Sequence, residues 1–532
     1  MLKFSQFALL AASAILLLIV RYGYHESIND HDIIDLKGLH QVHPDYYKND
    51  WFVEKVPQPH IVNDHFVEWS ERAGILAEAK MIYWAVSVSI FAFACFLFGI
   101  WSGGFSYAFG LMALLILGPT SPLGSGTALL GWQLPHSLGG ALLLLGFMGL
   151  ILDRRSLVIS CLFLTPLAHV QHGLHLSLIA FAWCFFSEFQ IKKQRVLCAL
   201  SLTSGVLSLW MAHLGNVTGA DSSFSDACKV YTPFHCLSSS WPDFWWLTGV
   251  FILLAQIPLL RFLYRESKPA SVSMGLTLLS INICYWLCMG IEYFQVEPLA
   301  GLVRGTNFFR WITLLLFSAC AGLLLLLRPT NFKWPRMVGF LVLFLGFYLR
   351  TFTSVADGMP LQKYSILAAV TIFIAVIATL IKNATPRMWM LNLGFVVCIL
   401  YFSTPLPPRE RFLEVGRQVE NLVPPGEIII ASPMVEILRA ISHRAVIADR
   451  KGVPYGEPYL TLWKQRIVDL GGGDDESYAK MPYEHWLSIA KKYNARYAFL
   501  IATDTRGAEL EKYHQLVYIN KELMIRVFKL NY

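Results

Sequence analysis

Charged residues are scarce in this chain: Asp, Glu, Lys and Arg make up only 15% of its 532 residues. Soluble domains carry roughly 25%, so the composition excludes an ordinary soluble protein. With 55% hydrophobic residues and a mean hydropathy of +0.50, the sequence predicts a polytopic α-helical membrane protein. Its formal charge of +7 comes largely from short basic loops, which membrane topology explains, and does not indicate nucleic acid binding.

The sequence also lacks an internal repeat, a low-complexity tract and a P-loop. Residues Gly471–Asp475 are glycine-rich, but the Lys and Ser or Thr of a P-loop do not follow them. Transporters and flippases usually show inverted repeats and helices interrupted at midplane. The absence of a repeat weighs against transport, which stays a competing interpretation.

Cysteine is almost confined to apolar segments, which hold eight of the ten. There a thiol behaves as a small hydrophobe. Cys228 and Cys236 share one polar loop that the predicted topology places outside. A disulfide between them, typical of an oxidising compartment, and two separate free thiols are both open interpretations.

Thirteen apolar segments are predicted to form transmembrane helices. They cover residues 4–20, 80–100, 105–118, 137–152, 156–169, 174–188, 196–213, 243–260, 271–291, 307–327, 337–350, 363–381 and 388–403. With a cytoplasmic N-terminus, five strongly basic loops all fall inside, as the positive-inside rule expects. These are residues 153–155, 192–195, 261–268, 328–336 and 382–387. The odd number of spans then places the C-terminal segment outside.

The first apolar segment has a competing interpretation as a cleaved signal peptide. Its small residues Ala11, Ala12 and Ala14 come early in the apolar run rather than after it, and Arg21 follows. We therefore predict an uncleaved helix.

Residues 156–188 are too few for two full spans, so we expect two short or partly inserted helices. The turn between them, from Ala168 to His175, is predicted near the outer interface, where irregular backbone needs protein or a water-filled cavity beside it. His169, His172 and His175 are spaced at i, i+3 and i+6. They are candidates for lining such a cavity; three imidazoles could also hold a transition metal or play a structural role.

Composition changes at residues 403–408, which are rich in proline. We predict a transmembrane domain over residues 1–404 and a soluble α/β domain over residues 405–532, because strands and helices alternate there. The strands are predicted at 427–431, 445–449, 497–501, 516–519 and 524–529, and the helices at 434–441, 459–470 and 483–493.

A long outer loop, residues 21–79, follows the first segment. Between Arg21 and Arg72 it carries six Asp and six His residues. Long loops in compact proteins are usually functional, so the sequence predicts a catalytic loop held over a membrane-embedded cavity.

This layout resembles that of the GT-C superfamily of membrane glycosyltransferases, which includes oligosaccharyltransferases and lipid A aminoarabinose transferases. In those proteins one helix leads from an inside N-terminus into a large outer loop with acids just after the helix. Many spans follow, and in several members an outer α/β domain closes the chain. The residues that carry the resemblance are 29–32 (NDHD), 44–52 (PDYYKNDWF) and 490–497 (AKKYNARY).

The resemblance implies a sugar donor carried on polyprenyl phosphate and a base for the acceptor. Asp30 and Asp32 are the candidate bases, because the superfamily commonly uses an acid here and a carboxylate can take the acceptor's proton. Their side chains would share a face in an extended segment and diverge in a helical turn. A solvated acidic loop is the alternative. His31, between them, is a candidate for lining the cavity.

The leaving phosphate requires positive charge, and arginine binds phosphate oxygens in pairs. Arg304, Arg310, Arg350 and Lys363 are candidates because ionisable groups at or within spans are functional hypotheses; snorkelling to lipid headgroups is the alternative. Some GT-C enzymes hold a divalent metal such as Mg²⁺ or Mn²⁺ on outer-loop carboxylates and others use none, so a metal cofactor stays open.

These features predict a glycosyltransferase of the bacterial inner (plasma) membrane, with a cytoplasmic N-terminus and a periplasmic C-terminal domain. It would transfer a sugar from a polyprenyl-phosphate donor to an extracytoplasmic glycan, lipid or protein. Besides a transporter, a non-catalytic envelope-assembly subunit with this fold is an alternative, because fold does not fix function.

Overall fold

The computed structural model of the protein describes residues 2–24, 31–118, 134–186, 191–215, 227, 237–266, 268–297, 299–306, 308–328, 334–348, 369–374, 376–378, 381, 383–401, 403, 410–502 and 504–532. By their contacts the residues fall into two units. The membrane unit comprises Met1–Glu26, Lys80–Met211 and Phe234–Leu406, and the second unit comprises Ser27–Ala79, Ala212–Pro233 and Pro407–Tyr532. The contacts thus group the outer loop with the C-terminal segment, whereas the sequence predicts it as part of the transmembrane domain. The boundary between residues 404 and 405 stays a prediction.

The membrane unit holds thirteen apolar helices within the described residues, in the predicted order. They are Leu2–Tyr22, Leu76–Ser102, Phe105–Leu117, Pro135–Ile151, Arg155–Ala168, Val170–Phe186, Ile191–Leu214, Asp243–Arg265, Pro269–Tyr293, Ile312–Leu326, Trp334–Tyr348, Ala369–Ala378 and Ala384–Tyr401. Six of them, the first, second, seventh, eighth, ninth and tenth, are long and apolar enough to cross a membrane. The polytopic helical class is confirmed, and the number of helices that cross the bilayer stays a prediction.

Close packing and buried amides connect these helices. A Cβ on Gly322 would lie 1.9 Å from the backbone oxygen of Ala255 on the neighbouring helix, so a larger residue would force the two helices apart. Gln256 and Asn282 exchange two side-chain amide hydrogen bonds of 3.0 Å. In a membrane the hydrophobic effect does not drive helices together, because lipid tails are as apolar as the side chains. Helices there associate through close packing and interhelical hydrogen bonds of this kind.

In the second unit the outer loop forms four short helices, His31–Ile34, Leu36–Val42, Trp51–Lys55 and Ile61–Arg72. Asp50 begins the third of them, because its Oδ1 accepts hydrogen bonds from the backbone N–H of Phe52 at 3.0 Å and of Val53 at 3.2 Å. The second and fourth helices pack closely: a Cβ on Gly38 would lie 2.6 Å from the backbone oxygen of Asp64. The loop is therefore a folded part of the unit.

The C-terminal segment of the second unit is an α/β layer around one mixed sheet. Its strands are β1 (Ile428–Ile430), β2 (Ala445–Val446), β3 (Ala495–Leu500), β4 (Gln515–Asn520) and β5 (Ile525–Lys529), in the order β2-β1-β3-β5-β4. β2, β1 and β3 run parallel, and β5 pairs antiparallel with β3 and β4. The helices are Glu410–Leu422, Leu438–Ser442, Tyr459–Asp469, Asp475–Ala479, Tyr483–Lys492 and Gly507–Tyr513. The predicted α/β class is confirmed.

Two local predictions are wrong. The turn predicted from Ala168 to His175 is only one residue long, because His169 alone separates the helices Arg155–Ala168 and Val170–Phe186. A longer turn would leave peptide groups unpaired in an apolar layer, and the helix pairs them instead. The helix predicted at residues 434–441 is shorter and later, at Leu438–Ser442.

Candidate active site

Asp32 is the predicted base that the structure describes in the outer loop. It lies in the helix His31–Ile34 and is only 3% exposed. The segment is therefore helical rather than extended at this point. Asp30 and the side chain of His31 lie outside the described residues, so the proposed pairing of the two acids stays a prediction.

Two further acids of the loop, which are not among the predicted bases, are buried as well. Asp35 is 3% exposed and Asp64 5%. Asn63 donates from Nδ2 to Oδ1 of Asp35 at 3.4 Å. In the sequence these acids do not differ from exposed ones such as Asp45, so only the packing of the loop reveals them.

Asp64 is a buried acid with a strongly raised pKa. Burial raises the pKa of its carboxyl from 3.8 to about 8; Lys37 acts to lower that pKa and Asp35 to raise it. Its Oδ1 atom is buried and has no hydrogen-bond partner among the described residues. A carboxyl whose pKa lies near the working pH is suited to general acid–base chemistry.

A buried ion triad joins the outer loop to the C-terminal segment within the second unit. Nε of Arg439 lies 2.9 Å from Oδ2 of Asp50, and its Nη1 forms an ion pair with Oδ2 of Asp449. Burial acts to lower the pKa of Arg439, but Asp449 and Asp50 outweigh it and raise that pKa. Because each of these charges has a partner of opposite sign, the triad is a structural element.

In the membrane unit, four histidines gather between the helices Pro135–Ile151 and Val170–Phe186. The ring centroids of His169 and His172 are 4.7 Å apart, and those of His172 and His175 are 6.1 Å apart. His136 lies 6.3 Å from His169, and Trp311 lies 4.9 Å from His175. With Arg310, these side chains form what we call the imidazole cluster: His136, His169, His172, His175, Arg310 and Trp311.

A glycine allows this cluster to form. A Cβ on Gly139 would lie 2.5 Å from the Cβ of His169 and 3.1 Å from Cδ2 of His172. Any larger residue at position 139 would push the histidines away from the helix that they contact. The histidines are thus packed into the helix interface rather than placed in an open turn.

Arg310 adds a permanent positive charge to the imidazole cluster. It precedes Trp311 in the 3₁₀ turn Phe308–Trp311, and its charge acts on both His172 and His175. The two histidines are 2% exposed and Trp311 is 6% exposed. Nδ1 of each histidine and Nε1 of Trp311 have no hydrogen-bond partner within the described part of the chain. Buried polar atoms are normally paired, so these three are candidates for contacting a ligand.

Arg304, another candidate for binding phosphate, lies in a different setting. Its Nη1 is 3.6 Å from Oε1 of Glu292, and its Nη2 pairs with Glu297. Glu292 is fully buried, and its Oε2 accepts hydrogen bonds from the backbone N–H of Ser238 and from the Ser238 hydroxyl at 2.6 Å. Two carboxylates already balance the charge of Arg304, which favours a structural role.

The remaining predicted site residues, Arg350, Lys363, Cys228 and Cys236, lie outside the described residues. Among the residues that the structure does describe, no three His, Cys, Asp or Glu side chains are placed to hold a metal ion. Asp30 of the outer loop lies outside the described residues, so the divalent metal stays a prediction and no step is assigned to one.

No family model matches the sequence, and no curated protein matches it. Solved structures do resemble the fold. Apo ArnT from Cupriavidus metallidurans aligns with a TM-score of 0.54 and 13% identity, over 99% of this chain and 98% of that one. The same protein bound to undecaprenyl phosphate aligns with a TM-score of 0.55 and 14% identity, over 98% and 97%. The chain has the GT-C fold.

The GT-C fold accounts for nearly the whole length of the chain, including the outer loop and the C-terminal α/β segment. Together with the six long apolar helices, it establishes an integral membrane protein. A third structure, the Archaeoglobus fulgidus oligosaccharyltransferase with Zn and sulfate, aligns at 11% identity and a TM-score of 0.45, over 97% of this chain and 72% of that one. A score that low supports no conclusion.

Proposed function

We propose that the protein is a membrane glycosyltransferase that moves a sugar from a polyprenyl-phosphate carrier to a glycan, lipid or protein on the outer side of a bacterial plasma membrane. The observation that carries this proposal is the full-length likeness to ArnT, which has been solved with undecaprenyl phosphate bound. A shared fold does not fix a reaction, so the proposal also depends on groups suited to the chemistry.

The reaction requires a base and a cation. Asp30 or Asp32 takes the proton of the acceptor hydroxyl or amine as that group attacks the anomeric carbon. The bond from that carbon to the phosphate oxygen breaks, and the lipid phosphate leaves as an anion. Positive charge from Arg310, with Arg350 and Lys363 as further candidates, stabilises the developing phosphate charge. Arg304, which two glutamates neutralise, contributes to the fold instead.

The burial of Asp64 supports it as a second candidate base. A carboxylate with a pKa of about 8 is a far stronger proton acceptor than one near 4, although a smaller fraction of it is ionised at neutral pH. A base at Asp64 therefore predicts a distinctive pH profile for transfer. A base at Asp64 gives a rate that rises up to about pH 8, whereas a base with an ordinary carboxyl pKa is fully ionised well below pH 7.

The test is mass spectrometric profiling of envelope glycans and lipids. Cells lacking the protein are complemented with wild type, Asp30→Asn, Asp32→Asn or Asp64→Asn, and membrane levels of each variant are measured. We expect one glycan or glycolipid to disappear without the protein, to return with wild type, and to stay absent with one of the three variants.

The matched control is Asp45→Asn, which changes an exposed acid of the same loop and should restore the product fully. If Asp30→Asn, Asp32→Asn and Asp64→Asn all restore the product, the assignment of the base is wrong. If no product differs between cells with and without the protein, the transferase proposal fails, and transport or an assembly role takes its place.

A further inference from the structure

Three arginines gather at one end of three packed helices of the membrane unit. These helices are Asp243–Arg265, Ile312–Leu326 and Trp334–Tyr348. The first arginine lies near the end of the first helix, the second just follows the second helix, and the third lies in the first turn of the third. We call these residues the arginine rim: Arg261, Arg328 and Arg336.

A contact between side chains places the first two arginines side by side. The guanidinium of Arg328 lies over the ring of Phe262, 4.4 Å from its centroid. Phe262 is the residue after Arg261 in the chain. The ends of the first and second helices are therefore at the same level, with a positive charge on each.

Arg336 reaches this level from the third helix. That helix begins six residues after Arg328, and it runs back in the direction opposite to the first helix. A Cβ on Gly346 would collide with the ring of Phe251, so the third and first helices touch there. Arg336 comes ten residues before Gly346, and Arg261 ten residues after Phe251. At about 1.5 Å per residue, both arginines lie equally far from the contact, at the same end.

Acidic residues are scarce in the segments that form the arginine rim. In residues 258–271 and 324–340 the one acid is Glu266. Its Oε2 accepts hydrogen bonds from Nε1 of Trp101 at 3.1 Å and from the Ser271 hydroxyl at 3.0 Å, so it already joins two other helices. Positive charges that lie together repel one another, and an anion between them would stabilise the ends of all three helices.

Aromatic residues at the same end indicate the level of lipid headgroups. Tyr264 is 75% exposed, and Trp101 packs edge-on against Phe262, with ring centroids 4.7 Å apart and an angle of 89° between the rings. Tyr and Trp are enriched where a membrane meets water. The predicted topology places this end inside, and basic clusters beside the inner ends of membrane helices attract anionic lipid headgroups.

We propose that Arg261, Arg328 and Arg336 bind the phosphate group of an anionic phospholipid of the phosphatidylglycerol class in the inner leaflet. The planar fork of arginine donates to two phosphate oxygens at once, and the bound lipid holds the three helix ends together. This surface is separate from the candidate active site. The helix Ile312–Leu326, 15 residues and about 22 Å long, lies between Arg310 and Arg328. The inference does not depend on sugar transfer.

The test is native mass spectrometry of the purified full-length protein in detergent. The protein is titrated with phosphatidylglycerol and, separately, with phosphatidylethanolamine, whose headgroup also carries a positive charge. We expect tighter binding of phosphatidylglycerol. A basic residue near anionic lipid contributes roughly fivefold in affinity, so Arg261→Gln and Arg336→Gln should each weaken phosphatidylglycerol binding about fivefold. The double variant should weaken it about twenty-five-fold, with phosphatidylethanolamine binding unchanged.

The two arginines are exposed, so their replacement leaves the contacts between helices intact, and a thermal melt of each variant checks the fold. Arg417→Gln, at an arginine of the second unit whose side chain is 69% exposed, is the matched control and should bind as wild type does. Arg336→Lys keeps the charge and should recover most of the affinity that Arg336→Gln loses.

Several outcomes would overturn the proposal. One is equal affinity of the wild type for the two phospholipids, and another is equal affinity of wild type and the double variant for phosphatidylglycerol. A loss in Arg417→Gln as large as that in Arg336→Gln would show that net charge alone is responsible.

Two further probes separate the source of the phosphate. Displacement of phosphatidylglycerol by an equal concentration of inorganic phosphate would overturn a lipid as the occupant. Undecaprenyl phosphate should bind the double variant as it binds wild type. If the double variant instead loses undecaprenyl phosphate and keeps phosphatidylglycerol, the arginine rim belongs to the sugar carrier and the proposal is wrong.

Discussion

The two units of this protein bury charge in different ways. In the second unit a buried arginine is matched by carboxylates: Arg439 lies between Asp50 and Asp449. In the membrane unit, the basic groups of the imidazole cluster lie beside one another, and the charges acting on His172 and His175 are all basic. In the first arrangement every charge has a partner of opposite sign, whereas in the second the groups that act on the two histidines all carry the same sign.

The membrane unit is nevertheless able to neutralise a buried arginine. Arg304 is paired with Glu292 and Glu297. The imidazole cluster therefore differs from its own surroundings as well as from the second unit. Buried charges are normally paired, so the pairing of Arg304 with two glutamates favours a structural role for that residue.

The largest effect is expected from a variant that breaks the ion triad of the second unit. Arg439→Met leaves Asp50 and Asp449 buried together without their cation, and removal of one partner of a buried pair costs about 3–5 kcal/mol. For a unit of this size that corresponds to a Tm lower by roughly 10 °C. The measurement is limited proteolysis of the full-length protein against temperature, following cleavage in the C-terminal segment.

The control for this prediction is Arg450→Met, which removes a pair with Glu436 whose side chains are 30% and 25% exposed. Partly exposed pairs contribute about 0–1 kcal/mol, so this variant should melt within a few degrees of wild type. Similar losses for both arginines would contradict the structural role of the triad.

The second prediction concerns Asp64, a buried acid that no cation neutralises fully. Its folded-state pKa of about 8 lies above the ordinary 3.8, so between these values the folded chain keeps a proton that the unfolded chain has lost. The free energy of unfolding therefore falls as pH rises through that window, by about 1.4 kcal/mol per pH unit. Asp64→Asn removes this dependence and should make the second unit more stable at pH 7 than wild type.

The measurement is the Tm of wild type and of Asp64→Asn at several values from pH 5 to pH 7.5. The histidines titrate in both proteins and cancel in the difference. Asp45→Asn, at an exposed acid, should give a curve parallel to that of wild type. If the Asp64→Asn curve is also parallel, the buried carboxyl does not hold its proton.

A smaller effect is expected at the site in the membrane unit where Arg304 pairs with Glu292 and Glu297. Ser238→Ala removes the hydroxyl that donates to Glu292 at 2.6 Å, and a hydrogen bond to a charged group contributes about 1.5–3 kcal/mol. The expected result is a Tm lower by several degrees, with undecaprenyl phosphate binding unchanged. Ser239→Ala, at the exposed neighbouring position, is the control, and a loss of phosphate binding in Ser238→Ala would contradict the distinction between the two sites.

The smallest effect is at an aromatic contact inside the second unit. The rings of Tyr46 and His443 are stacked, with centroids 4.0 Å apart and an angle of 5° between them. Such a pair contributes about 0.5–1.5 kcal/mol, so Tyr46→Leu should lower the Tm by a few degrees, whereas Tyr46→Phe, which keeps the ring, should not. Thermal melts of both variants test this prediction. Equal Tm values for Tyr46→Leu and Tyr46→Phe would show that ring stacking does not contribute to stability.

Apolar runs and alternation were sufficient to predict the apolar helices of the membrane unit and the strands of the C-terminal sheet, but not the four short helices of the outer loop. The thirteen apolar helices and the five strands of the C-terminal sheet occur in the predicted order. Both patterns are local, because a helix or a strand is specified by residues a few positions apart. The turn at His169 was predicted too long because polar residues were taken as a sign of exposure, and here they are buried.

The candidate site likewise contains some residues that local sequence patterns reveal and others that only the fold reveals. The order of residues along the chain is enough to show that acids follow the first helix and that Arg310 and three histidines lie within the apolar region. The burial of Asp64, the neutralisation of Arg304 and the contact of Trp311 with the histidines depend on how the chain folds. Arg439 and Asp50 are 389 residues apart in the chain, and no local pattern specifies such a pair. Burial and charge pairing depend on which distant segments meet, and they decide whether a polar residue stabilises the fold or remains available to a ligand.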